Sequence, residues 1–221
     1  MGMDLYLDSI NLDDWKRLIP LGFLKGITTN PILAKKSGLN YPEIDWLDFV
    51  KRASDLGAQE LHAQVFGPPN SFLRWSERLL EAGNSSSIRT VVKVPLVHDA
   101  IEMVPQLKSL GCPILMTACF NTKQMVLSSA LKADYIAPYF GRMLKRGLPA
   151  YETIAQMLAV EASSGNKTRI LVASLRNAEQ LCRLSKMGCT CFTLAPTLVD
   201  ELLHDDQSNI AVHDFELAAG G

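Results

Sequence analysis

Eight short apolar runs, each followed by a stretch with apolar residues at helical spacing, leave this chain few architectures. The runs cover residues 4–8, 26–29, 60–66, 90–94, 113–118, 135–138, 169–173 and 191–194. Several are β-rich, as in Thr90-Val91-Val92-Lys93-Val94 and Ile170-Leu171-Val172-Ala173. Brief runs of this kind mark strands covered on both faces. Helical patterns fill the intervals: a start at Asn11 with acidic Asp13 and Asp14, then 43–56, 71–80, 98–110, 122–131, 150–162 and 177–187. Ile44, Leu47, Val50 and Ala53 form one helical stripe, and Phe72, Trp75 and Leu79 another. Met125, Met157 and Met187 fall within these patterns and read as core filler.

Parallel strands need crossover connections, so strand–helix alternation implies an α/β fold. About eight such units in 221 residues favour closure into a (β/α)8 TIM barrel over an open sheet. No Pro/Gly/Ser linker divides the chain, and Asn84–Ser87 and Ser163–Asn166 read as short loops before strands. Residues 1–221 are therefore expected to form one barrel domain, with a weakly patterned tail from about residue 205. A formal net charge of -1 gives no whole-molecule attraction to nucleic acid or to a membrane surface. No apolar run reaches the ~18 residues of a membrane span, and the first residues, Met1 to Asp8, do not read as a signal peptide. The five cysteines, Cys112, Cys119, Cys182, Cys189 and Cys191, lie in apolar runs without metal spacing. They are expected to be buried free thiols in a reducing, cytoplasmic setting, with no structural metal.

Active groups in such barrels project from the C-terminal ends of the strands. Lys93 stands in the apolar run Val91-Val92-Lys93-Val94-Pro95. Burial would lower its pKa and free a neutral amine for attack on carbonyls. Alternatively it snorkels to solvent from a strand end. Asp8, Thr29-Asn30, Gln64 and Thr117 also lie in or at strand ends. Each has a plainer use: Asp8 as a helix cap, Asn30-Pro31 as a turn, Thr117 as a local backbone partner. Together they form a ring of hydrogen-bonding groups that a packed core does not require. Arg142 follows the sixth run, and Ser174 and Arg176 follow the seventh. Late strand ends and helix N-termini are where barrels hold phosphate, and guanidinium geometry suits it. Tyr139 is a candidate proton donor or water-orienting group. The histidines His62, His98, His204 and His213 show no spacing for metal or triad use.

The same residues carry a resemblance to the transaldolase family, and within it to the small fructose-6-phosphate aldolases. It runs from Leu5-Tyr6-Leu7-Asp8 to about Thr193 and rests on Gly26-Ile27-Thr28-Thr29-Asn30-Pro31, Val92-Lys93-Val94-Pro95, Ala137-Pro138-Tyr139-Phe140-Gly141-Arg142 and Ala173-Ser174-Leu175-Arg176 in that order. The resemblance implies a Schiff base on Lys93, proton relay by Asp8, and sugar-hydroxyl contacts from Asp8 and Asn30, with Thr29 beside them in the motif. It implies a catalytic water held by Gln64 and Thr117 and oriented by Tyr139, and a phosphate site of Arg142, Ser174 and Arg176. Gln64 and Tyr139 match the aldolase pattern, where transaldolases carry Glu and Phe. Gly141 is the transaldolase-like choice, where the aldolases carry Asn, and Met143-Leu144-Lys145-Arg146 lacks an acidic residue usual in the family. The implied function is cleavage or formation of fructose 6-phosphate, without cofactor, in a homo-oligomer (pentamer or decamer) whose C-terminal tail reaches a neighbouring subunit. The rival functions are transaldolase transfer of a three-carbon unit, an isomerase-like phosphate-binding barrel, and a non-catalytic sugar-phosphate sensor.

Overall fold

A computed structural model describes residues 2–165 and 168–220; Asn166 of the expected 163–166 loop, Met1 and Gly221 lie outside these. Eight strands alternate with helices: β1 (Asp4–Asp8), β2 (Leu24–Thr28), β3 (Glu60–Gln64), β4 (Arg89–Pro95), β5 (Ile114–Cys119), β6 (Tyr135–Pro138), β7 (Arg169–Ile170) and β8 (Cys191–Leu194). All pair in parallel, in the order β7-β6-β5-β4-β3-β2-β1-β8. The ring closes through Val172, whose N–H donates to Cys191 O at 2.9 Å and whose carbonyl accepts from Thr193 N at 3.0 Å. The sheet is thus the expected (β/α)8 barrel. The seventh strand is shorter than residues 169–173, because Val172 and Ala173 make single bridges rather than a ladder.

The helices are α1 (Leu12–Leu18), α2 (Pro31–Lys36), α3 (Trp46–Asp55), α4 (Phe72–Ser86), α5 (His98–Ile101), α6 (Val104–Ser109), α7 (Thr122–Ala130), α8 (Phe140–Lys145), α9 (Ala150–Ser163), α10 (Ala178–Lys186), α11 (Pro196–Leu203) and α12 (Asp206–Ala218). Asn side chains start those after β1, β2, β5 and β7: Asn11, Asn30, Asn121 and Asn177 each accept a main-chain N–H of the first turn. Such caps satisfy donors that a helix start otherwise leaves unpaired.

Several expectations need correction. Residues 98–110 form two helices, α5 and α6, and Pro105 sits in the first turn of the second, where a missing N–H is harmless. Asn84 to Ser86 extend α4 instead of forming a loop; Ser87, left-handed at φ 54°, ends it. In α3, Trp46 is buried with Val50 and Ala53, while Leu47 is exposed. Ile44 precedes the cap Asp45. Four cysteines are buried free thiols, but Cys182 is exposed on α10.

Alternation along the strands divides the core. Outward residues such as Leu7, Ile27, Leu61, Val92, Ile114 and Ile136 pack under the helices, and Trp15, Trp46, Phe49 and Trp75 form an edge-to-face aromatic cluster in that shell. Inward residues Tyr6, Val91, Leu115, Tyr135, Ala137, Leu171, Ala173 and Cys191 fill the barrel. Gly26 makes room between β2 and β3, where a Cβ would sit 2.2 Å from Glu60 O.

Candidate active site

The C-terminal mouth holds a cavity of about 330 Å³. Its wall takes in eight of the ten residues singled out in the sequence: Asp8, Asn30, Lys93, Thr117, Tyr139, Arg142, Ser174 and Arg176. Thr29 and Gln64 are not part of that wall. Thr29 is fully buried and presents its main-chain carbonyl to Lys93. Gln64 is the register partner of Lys93 across β3 and β4, and its main chain is clamped by the Tyr41 hydroxyl, 2.8 Å from both Gln64 N and Gln64 O.

Lys93 does not snorkel. It is 5% exposed, and Nζ donates to Thr29 O at 2.9 Å. Burial pushes the amine below the usual lysine range, against the pull of the Asp8 charge. A buried ammonium that has one carbonyl for a partner is poorly compensated, which favours the neutral nucleophile.

Asp8 is not a helix cap; Asn11 performs that task for α1. Asp8 Oδ1 accepts from Thr28 Oγ1 at 2.7 Å, and Thr28 Oγ1 lies 2.6 Å from Thr193 Oγ1. Thr28 has one hydroxyl hydrogen and directs it at the carboxylate, so Thr193 donates to Thr28. This Thr193–Thr28–Asp8 chain was not read from the sequence. Its signal is present, since both threonines occupy inward positions at the ends of apolar strands. Asn30 does not form an isolated turn with Pro31: its Oδ1 accepts from Ile32 N and Leu33 N at 3.0 and 3.1 Å as the cap of α2. Its amide nitrogen remains a donor at the cavity wall.

Across the barrel, Thr117 Oγ1 and Tyr139 OH are 2.8 Å apart. The Arg142 guanidinium covers the Tyr139 ring at 4.5 Å, and Phe120 meets that ring edge-on. Arg142 stands in the first turn of α8 and Arg176 in the loop after β7, and the two segments are closely packed. A Cβ on Gly141 would lie 2.0 Å from Ser174 O and 3.2 Å from the Arg176 side chain. Ser174 itself is left-handed at φ 65°, a conformation unusual for a side chain larger than glycine. The geometry therefore places two guanidinium groups, a hydroxyl and the start of α10 on one side of the cavity, and a buried amine with a carboxylate on the other. Lys36, Ser37 and Asp14 complete the outer rim and were not expected. Among the described residues, no group of three or more His, Cys, Asp or Glu side chains could hold a metal ion. No described helix is long and apolar enough to cross a membrane.

Fold and site together define a parallel α/β barrel with a desolvated lysine at its C-terminal mouth. Residues 5–218 match the family described as Transaldolase/Fructose-6-phosphate aldolase, and the chain belongs to that family. A "Probable transaldolase" of Leptospira biflexa is 32% identical over 203 residues, covering 91% of this chain and 90% of the relative. One of Syntrophobacter fumaroxidans is 27% identical over 215 residues, covering 96% and 95%. Among solved structures, a thiamine phosphate pyrophosphorylase from Pyrococcus furiosus superposes with a TM-score of 0.61 at 10% identity, covering 87% of this chain and 85% of that one. Mandelate oxidase gives 0.62 at 11% identity, covering 87% and 64%. These two likenesses are of fold alone.

Proposed function

We propose that the protein is a Schiff-base aldolase that cleaves and forms fructose 6-phosphate. The observation that supports it most is Lys93, buried with a depressed pKa at a cavity whose far side carries Arg142, Ser174 and Arg176. The neutral amine adds to the C2 ketone, and loss of water leaves a protonated imine. Asp8 relays the proton from the C4 hydroxyl. The C3–C4 bond breaks, its electrons enter the imine, and glyceraldehyde 3-phosphate leaves. Tyr139, with Thr117, orients the water or proton that quenches the three-carbon enamine at C3; hydrolysis then releases dihydroxyacetone. The imine is itself the electron sink, so this scheme calls on no metal or organic cofactor. Holding the phosphate far from the breaking bond orients the substrate. Asn30 and Thr29 position sugar hydroxyls and the lysine, and Gln64 holds the catalytic water with Thr117.

A second reading, transaldolase transfer, is favoured by the close packing at Gly141 and by the names of the relatives. It uses the same site and differs in the fate of the enamine. Incubation with fructose 6-phosphate, assay of free dihydroxyacetone and borohydride trapping with peptide mapping separate the two. Accumulating dihydroxyacetone with label on Lys93 supports the aldolase. Label on Lys93 without dihydroxyacetone until an acceptor aldehyde is added supports the transaldolase. No label under conditions that trap a known Schiff-base aldolase sinks both.

We further propose a cytoplasmic homo-oligomer in which α12 docks on a neighbouring subunit. That helix buries none of its residues on its own chain, and Ile210, Val212, Phe215 and Leu217 are all exposed. Sedimentation of Phe215→Ser should show a smaller assembly than the wild type; an unchanged size argues against this docking.

A further inference from the structure

Below the cavity, the barrel interior holds ionisable groups that the scheme above leaves unused. His62 on β3 pairs in register with Val91, two residues before the Gln64–Lys93 pair. It is 0% exposed. Its ring lies between those of Tyr6 on β1 and Tyr135 on β6, at centroid distances of 4.9 and 5.1 Å. Strands β1, β3 and β6 are not neighbours in the sheet, so these rings meet near the barrel axis. The imidazole therefore belongs to the layer immediately beneath Lys93.

His62 Nε2 is 2.8 Å from Glu60 Oε2. Glu60 also accepts from Tyr6 OH at 2.9 Å and Tyr135 OH at 3.0 Å, and it pairs with Arg89 and Lys25 at 3.2 and 3.4 Å. Burial opposes its charge, yet His62, Arg89 and Lys25 together hold its carboxyl well below the usual range. An ionised carboxylate only accepts, so Nε2 carries the hydrogen and Nδ1 is a bare lone pair. Glu60 precedes His62 by two residues on β3, so Nε2 is engaged from the N-terminal side. That leaves Nδ1 as the ring nitrogen available to the layer of Lys93. It is buried and has no hydrogen-bond partner among the described residues, a state that native interiors rarely tolerate without a use.

Resting on the Schiff-base reading of Lys93, we propose that His62, backed by Glu60, is a positioning residue that takes up the proton Lys93 must shed to become a nucleophile. The proton passes from Nζ to Nδ1, directly or through one water, as the amine leaves the Thr29 carbonyl. It returns when the imine is hydrolysed and the amine is regenerated. The exchange trades an ammonium bonded to a carbonyl for an imidazolium in contact with a carboxylate. Burial holds the His62 pKa below its ordinary value against the upward pull of Glu60, and the Lys93 and Arg89 charges push it further down, so protonation of Lys93 opposes protonation of His62. The remaining groups around His62 do not compete for the proton. Burial pushes the Tyr6 and Tyr135 hydroxyls up, and the Cys191 thiol up to about 12. Against burial, Lys25 is held as a cation by Asp4 and Glu60, and Arg89 by Glu60. Asp8, in the layer above, faces Lys93 itself.

The test is the pH dependence of borohydride trapping of dihydroxyacetone on Lys93 in wild type, His62→Phe and Glu60→Gln. Phe keeps the ring packing against Tyr6 and Tyr135. The midpoint is expected to move to higher pH by about one unit in both variants, a roughly tenfold loss of labelling at neutral pH. If His62 served packing alone, Phe would dry the site and move the midpoint down or leave it in place. If Glu60 acted on Lys93 only as a nearby charge, Gln would move it down as well. A midpoint unchanged or lowered in either folded variant overturns the proposal. Thermal unfolding checks the fold, and His62→Gln, which cannot hold a proton, replaces a variant that fails it. Absence of label on wild-type Lys93 sinks the Schiff-base reading and this inference together; a labelled wild type with unmoved variants sinks the role of His62 alone.

Discussion

Replacing Gly141 by alanine perturbs the phosphate side of the cavity without altering a charge. The new Cβ would stand 2.0 Å from Ser174 O, where ordinary contact begins near 3.4 Å. The obstacle is main chain, so no rotamer change relieves it. Phe140 N is bonded to Ala173 O at 2.9 Å just beside the contact, which ties the start of α8 to the segment after β7. They must part by more than an ångström, carrying Arg142 away from Arg176. Overpacking of this kind costs about 1–3 kcal/mol of stability. A misplacement of about 1 Å in a positioned site costs on the order of 10² in rate. The assay compares kcat/KM for fructose 6-phosphate with that for unphosphorylated fructose, beside borohydride trapping of dihydroxyacetone on Lys93. The expected result is a roughly 10²-fold loss for the phosphorylated substrate, little change for fructose, and full trapping. Gly26→Ala is the control. Its Cβ would meet Glu60 O at 2.2 Å between β2 and β3, outside the cavity wall, so stability should fall without discrimination between the substrates. Equal losses on both substrates in Gly141→Ala, or no loss on either, would refute the coupling between this contact and the phosphate site.

Lys93→Met should abolish trapping and raise the melting temperature at neutral pH. The folded-state pKa of Lys93 lies below its ordinary value of 10.5, so the unfolded chain binds more protons. The resulting penalty is full below the folded value and fades as pH climbs toward the unfolded one. The thermal advantage of Met should therefore shrink in alkaline calorimetric scans; a constant gap would contradict the depressed pKa. Tyr139→Phe removes the hydroxyl 2.8 Å from Thr117 Oγ1. Release of dihydroxyacetone should fall by about 10²-fold or more while Lys93 is still labelled, and a parallel loss of labelling would assign Tyr139 to imine formation instead.

The strands were legible because a barrel strand is covered on both faces and reads as an unbroken apolar run. That same rule exposed Lys93 as out of place. Helices that carry motifs were harder to see. Asn30-Pro31 reads as a turn, yet a capping Asn followed by Pro at the first position begins a helix equally well, and the structure uses it so. Helix α8 was hidden inside the Phe140-Gly141-Arg142 motif. Helix α12 was passed over because it buries nothing on its own chain, leaving no contrast between an inner and an outer face. The Thr193–Thr28–Asp8 chain was missed because threonine is as ordinary in a strand as valine. Only the register of β1, β2 and β8 brings the three together.

The interior of the barrel below Lys93 is harder to justify by stability than the shell around it. Tyr6, His62 and Tyr135 surround a carboxylate that is 5% exposed, and Lys25 and Arg89 reach in to meet it. Arg169 and Lys25 both bind Asp4 nearby. Barrels ordinarily fill this space with branched aliphatic layers. Replacing a buried ion cluster by apolar side chains is often neutral or stabilising, because the Coulomb gain scarcely covers desolvation. Removing one member is costly, since it strands the others. A cluster of this kind, directly under an amine that must lose its proton, therefore has its clearest effect on the layer above it. Among the described residues the cluster leaves His62 Nδ1 without a partner, and Lys93, in the layer above, is the group with a proton to give up.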